Sequence, residues 1–148
     1  VEVEVLHPPR GARGAANDRS LTVRLRYGGT SVLFPGDLEA SGEAALVAAH
    51  GRDIASTVLK VPHHGSRTSS SAAFLDAVRP RLAVMSLGYD NRFGFPHPSV
   101  LAAYRARGIA LRRTDLDGAV TLRIDADGAL AVDAARHRAP SDARDDAP

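Results

Sequence analysis

The chain has 148 residues, of which 44% are hydrophobic, 24% charged and 5% aromatic, with no cysteine and a formal net charge of +2. That length suits one domain with a core built mostly from small aliphatic residues, and the lack of cysteine excludes disulfides and thiolate metal sites. No apolar run approaches the ~18 residues that cross a bilayer, and no charged-then-apolar leader opens the chain. The acidic tail from residue 141 leaves the first 140 residues at +4, a surplus compatible with a polyanionic substrate.

The chain opens without Met inside a strand, residues 1–6, as a piece of something longer would. Leu21, Val23, Leu25 and Tyr27 alternate with Thr22, Arg24 and Arg26, the period of a half-buried strand. Gly28-Gly29 turns it into a partner at 31–34, completing a hairpin. Ser41 is placed to cap a helix running to His50, with Gly51 just past its end and Glu43 in its first turn. A short apolar run at 57–61 predicts a buried strand. A second helix follows at 71–78, burying Phe74, Leu75 and Val78, and a further buried strand at 82–86. Pro98 starts a third helix that buries Val100, Leu101 and Tyr104 and stops at Gly108. Val120, Leu122 and Ile124, an Asp127-Gly128 turn, and Leu130 with Val132 make a closing hairpin. The domain therefore spans 1–134, and the aperiodic segment 135–148 reads as a disordered tail. Strands alternating with helices imply an α/β layer, a sheet with helices on one face.

Three loops at strand ends carry the chemistry. Gly36-Asp37 places a carboxylate directly after a strand, either as a simple turn or as a ligand bridging two cations. Lys60-Val61-Pro62-His63-His64-Gly65-Ser66 puts adjacent histidines after a buried strand, and imidazole is both the commonest metal ligand and a common acid–base group. On an extended backbone the two rings point opposite ways, so one faces the site while the other packs. The third loop, Asn91 to Pro98, is a rigid cap for the third helix or a surface through which Asn91 and His97 meet substrate. Asn17, Asp18 and Ser20 are turn polars or part of the same pocket.

These strings, with Ser86-Leu87-Gly88, Asn91-x-Phe93-Gly94 and Arg113-Thr114-Asp115-x-x-Gly118, resemble in order and spacing the C-terminal half of the ComEC-type metallo-β-lactamase-like domain, over residues 1 to 125. The resemblance implies the C-terminal half of an αββα sandwich, with a mixed sheet and helices on one face. It implies a two-metal site for divalent cations, zinc or manganese, in which Asp37 bridges and His64 ligates. His63 would join them in catalysis, while Asn17, Ser20, Lys60, Ser66, Asn91 and His97 would contact substrate. It further implies phosphodiester hydrolysis on DNA, a single strand during uptake. The setting would be a membrane protein's extracytoplasmic face, beside an upstream channel segment.

Two departures qualify the likeness. The family's Gly-His-Pro-His reads Gly94-Phe95-Pro96-His97 here, and no His-x-His-x-Asp-His segment is present. The ligand inventory is therefore Asp37 and one or two histidines, fewer than a hydrolytic site needs, so the chain alone is expected to be inactive. Rival readings are a non-catalytic nucleic-acid-binding or scaffold domain using Lys60, Arg67, Arg92, Arg112 and Arg113, and a freestanding, cytoplasmic small-molecule hydrolase. One sheet face is expected to lack its cover and to invite self-association, with the oligomeric state open.

Overall fold

A computed structural model describes residues 1–136. Its main sheet has six strands in sequential order: β1 (Glu2–His7), β2 (Thr22–Tyr27), β3 (Thr30–Phe34), β4 (Val58–Lys60), β5 (Leu82–Met85) and β6 (Ala110–Arg113). The first three pair antiparallel and β3 to β6 pair parallel. The parallel strands are joined through α1 (Ala40–His50), α2 (Ala72–Val78) and α3 (Pro98–Arg105). Parallel pairing needs such crossovers, which lay helices over the sheet. Leu33, Leu59, Ala83 and Met85 point at those helices and share one core with Leu46, Phe74, Val78 and Tyr104.

β6 was not foreseen from the sequence, and neither was the short α4 (Thr114–Asp117) behind it. The expected tail begins with Ala135 and Arg136, whose amides donate to Ala119 and Asp117 carbonyls at 2.9 and 2.8 Å. The rest of that tail lies outside the described residues.

The opposite sheet face is not bare. The closing hairpin, β7 (Val120–Ile124) and β8 (Leu130–Ala134), forms its own two-stranded sheet. It lays Leu122, Ile124, Leu130 and Val132 over Val32, Val58 and Leu82. Its cover is partial, and Val3 and Val5 remain 61% and 65% exposed. Docking depends on contact between two turns: Thr30 Oγ1 donates to the Gly128 carbonyl at 2.7 Å, and Gly28 faces Gly128. A Cβ at Gly128 would fall 1.6 Å from the Gly28 carbonyl oxygen, at a φ of +89°. Since the obstacle is backbone, Gly128→Ala is expected to lift the hairpin at a cost of at least about 2 kcal/mol. Hydrogen exchange across residues 120–134 should accelerate, and unchanged protection there would refute the docking.

β2 alternates as expected, but its polar side is the buried one. Thr22 and Arg24 lie under the helices, whereas Val23 and Leu25 take the half-covered face. The Arg24 guanidinium is compensated there by the Glu4 carboxylate and the Asp53 carbonyl, which is what burying a charge requires.

Ser41 does not cap α1. It lies inside the helix, and a 3-10 turn at Asn17–Arg19 supplies the missing acceptor from outside. Asp18 Oδ1 accepts from the Gly42 amide at 3.0 Å, and its other oxygen accepts from the Ser41 hydroxyl. That hydroxyl, helped by the amide, holds the Asp18 carboxyl below its ordinary 3.8. A depressed carboxylate stabilises the fold above pH 3.8 and loses that contribution as pH falls through its lowered value. Asp18→Ala should therefore cost about 1 kcal/mol near neutrality. Denaturant melts should show the gap to wild type closing in acid; a gap constant with pH would contradict the assignment.

Candidate functional site

The site forms because β3, β4 and β5 are parallel neighbours, so the loops after them emerge on the same sheet edge. Asp37 follows β3 through Gly36, whose φ is +64° and whose added Cβ would meet Ser20 Cβ at 2.8 Å. Ser20 Oγ accepts from the Asp37 amide at 3.1 Å. Ser20 thus positions the carboxylate from behind.

His63 and His64 do not sit on extended backbone. Both are left-handed, at φ 44° and 54°. That region is rare for residues with a Cβ but enriched in His, and each such residue costs about 1–3 kcal/mol. The turn brings both rings to the same cleft, contrary to the alternation expected of a strand. His64 Nδ1 donates to the Ser86 carbonyl at 2.6 Å. In the neutral ring this leaves the Nε2 lone pair free, and Nε2 lies 3.6 Å from Asp37 Oδ1. His63 Nδ1 sits 3.1 Å from Glu39 Oε1 without an aligned hydrogen bond, and Asn17 Nδ2 donates to that same oxygen at 3.2 Å. Glu39 was not singled out from the sequence as a site residue; its position two residues beyond Asp37 was the available signal.

Lys60 reaches in from the end of β4. Its Nζ is 3.8 Å from Asp37 Oδ1 and donates to the Gly36 carbonyl at 3.3 Å. Burial lowers its affinity for a proton, and the Asp37 carboxylate opposes that. The amide of His63 donates to the same Gly36 carbonyl at 3.1 Å, tying the first two loops together.

The third loop supplies the far wall of a cleft of about 710 Å³, shared by Asp37, His64, Asn91, Arg92, Phe93 and Phe95 among others. Asn91 spans the loop with both ends of its amide, donating to the Phe95 carbonyl at 2.9 Å and accepting from its N–H at 3.0 Å. Gly65 allows this loop to close in, since a Cβ there would come 2.8 Å from Pro96 Cβ. Two other sequence candidates are engaged elsewhere. Ser66 is buried, with its hydroxyl 3.0 Å from that of Thr68. His97 caps α3, its Nδ1 accepting from the Ser99 amide at 3.3 Å. Neither lines the cleft.

Residues 2–89 match the model of the metallo-beta-lactamase superfamily, and the chain belongs to that superfamily. The fold is a mixed α/β fragment of that architecture. Its more specific likeness is of the ComEC type. It is 42% identical over 131 residues to Competence protein ComA of Neisseria gonorrhoeae, covering 88% of this chain and 19% of that protein. It is 34% identical over 123 residues to ComE operon protein 3 of Bacillus subtilis, covering 83% and 16%. It is 36% identical over 117 residues to Recombination protein 2 of Haemophilus influenzae, covering 79% and 14%. The chain thus spans less than a fifth of the length of these curated relatives. No helix among the described residues is long and apolar enough to cross a membrane.

Members of the superfamily typically bind divalent metals. The residues here fit such a cation in part. One carboxylate and one imidazole nitrogen face each other, and the imidazole is oriented through its other nitrogen by a carbonyl, as metal-ligating histidines are. Among the described residues, no group of three or more His, Asp or Glu is gathered to hold a metal, whereas zinc sites use three or four protein ligands. Asp37 and His64 suit part of a ligand set.

Proposed function

We propose that this chain is part of a metal-dependent phosphodiesterase domain acting on DNA, in a ComEC-type uptake protein. The observation that carries this reading is the approach of Asp37 Oδ1 and His64 Nε2 to 3.6 Å at a cleft. The remaining ligands come from a His-x-His-x-Asp-His segment outside this chain, so the chain alone is inactive. Zinc or manganese would be held by Asp37 and His64 and would polarise the phosphodiester and lower the pKa of water. Within the cleft His63, held near Glu39, would orient the attacking water, while Lys60, 3.8 Å from Asp37, balances the charge of that carboxylate. Arg92 and Asn91 meet the strand. In this reading the domain stands on the extracytoplasmic face of the cell membrane, beside the channel that draws a single strand inward.

The names of the relatives, among them a competence protein and a recombination protein, support the DNA-uptake setting. A second reading, non-catalytic strand binding, is favoured by Lys60, whose ammonium already stands 3.8 Å from the carboxylate. The deciding experiment measures cleavage of an end-labelled oligodeoxynucleotide by the complete domain before and after dialysis against a chelator. Cleavage should vanish with the chelator and return with zinc or manganese. Persistence in chelator, and in Asp37→Ala and His64→Ala alike, overturns the reading.

A further inference from the structure

The loop after β5 exposes an aromatic surface that the metal-site reading leaves without a role. Phe93 is 73% exposed, although burying such a side chain is worth about 1.5–3 kcal/mol. Its ring stacks on Phe95 at a centroid distance of 5.9 Å and an interplanar angle of 22°. Phe95 is anchored in turn. It packs against the main core and meets the His63 ring edge-on at 5.9 Å, while Asn91 clips its backbone on both sides. A ladder of rings therefore runs from solvent through Phe95 to the histidine beside the proposed metal ligand. The outermost ring rests on a fixed support, and its outer side is open.

Phe93 and Phe95 line the same cleft as Asp37 and His64. The cleft's volume of about 710 Å³ falls in the ~300–1,000 Å³ range of small-ligand sites. Arg92, the residue before Phe93, is exposed and also lines the cleft. An aromatic plate beside a cation is how proteins hold one nucleotide of an unpaired strand, by base stacking on one side and phosphate contact on the other. Bases within a duplex are already stacked on their neighbours and cannot offer a face to it.

We infer that Phe93, backed by Phe95, is a stacking platform for an unpaired nucleobase, setting a preference for single-stranded polynucleotide at this cleft. The inference rests on the proposed function for the strand's phosphate lying near Asp37 and His64. It adds a base-dependent contact that metal chemistry does not need.

The test is equilibrium binding on the full chain in chelator, where no cleavage occurs, read by fluorescence anisotropy. The probes are a labelled twelve-residue oligothymidylate and an abasic strand of equal length. Wild type should prefer the base-bearing strand by about five- to a hundredfold. Phe93→Ala should erase that preference while leaving affinity for the abasic strand unchanged, and Phe93→Trp should keep it. Equal binding of the two strands, absence of binding to either, or equal losses on both in Phe93→Ala overturns the platform. Self-association that depends on Phe93 but not on bases would assign the patch to a protein contact instead. Because these readings are taken without metal, failure of the platform leaves the Asp37–His64 site to be judged by the cleavage assay.

Discussion

Asp37→Ala, made in the complete domain, is expected to lower metal-dependent phosphodiester cleavage by about a hundredfold or more. The variant removes the carboxylate that faces His64 Nε2 at 3.6 Å. It also strips Lys60 of its partner at 3.8 Å, which leaves an ammonium where a cation would have to bind. Both effects weaken metal occupancy. Stability should change little, because the side chain is half exposed and its backbone is held by Ser20 through the amide, which the variant keeps. Metal affinity by calorimetry, cleavage rate and thermal midpoint should be measured together. A variant that has lost its fold along with its activity would leave Asp37 a structural role, and one with full activity would remove it from the site.

Glu43→Ala should give a large loss of stability. Glu43 belongs to α1, yet it is fully buried and serves α2. Its two oxygens accept from the Ser70 and Ser71 amides at 2.5 and 2.8 Å. Ser71, the cap residue of α2, accepts in turn from the Phe74 amide. Ser70 Oγ lies 3.1 Å from the Tyr104 hydroxyl, whose proton affinity burial raises. Truncation at Glu43 would strand two buried donors at about 1–3 kcal/mol each, so a loss of about 3 kcal/mol or more is expected in urea. Glu43→Gln retains one acceptor oxygen and should lose roughly half as much.

Burial pushes the Glu43 carboxyl above its ordinary 4.5. The native state then holds that proton more tightly than the unfolded chain, so stability declines as pH rises from 4.5 through the raised value. Glu43→Gln should flatten that slope. A Glu43→Ala protein as stable as wild type would show that the amides find other partners.

Much of the architecture is legible in local pattern. The runs at β4 and β5 are short and, Lys60 apart, apolar because helices cover one side of the sheet, and at Val58 and Leu82 the hairpin covers the other. Their strand character needs no knowledge of neighbours. β6 escaped notice because it reads Ala-Leu-Arg-Arg at the sheet edge, where Leu111 alone packs on the core. The helix-facing side of β2 was not legible for a related reason. Alternation reveals the period, but the sign of the alternation depends on what lies above. Arg24 can go inward only because Glu4 arrives on the adjacent strand and Asp53 offers a carbonyl. Glu43 read as a first-turn acid suited to the dipole of its own helix, since nothing within its turn announces that α2 begins against it.

The candidate site divides the same way. Residue types were readable one loop at a time: an acid after Gly36, two imidazoles before Gly65, an amide at Asn91. The left-handed turn at His63 and His64, which reverses the expected opposition of the rings, was not. It arises where the His63 amide reaches the Gly36 carbonyl and the Gly65 carbonyl receives the His97 amide, contacts with loops more than twenty residues away. Composition and spacing thus specified which groups were available and that they stood at strand ends. Parallel pairing of β3 with β4 brought Asp37 and His64 side by side, and closure of the Asn91 loop over Gly65 built the cleft around them. Such convergence depends on hydrogen bonds and packing between distant segments, which local periodicity does not encode.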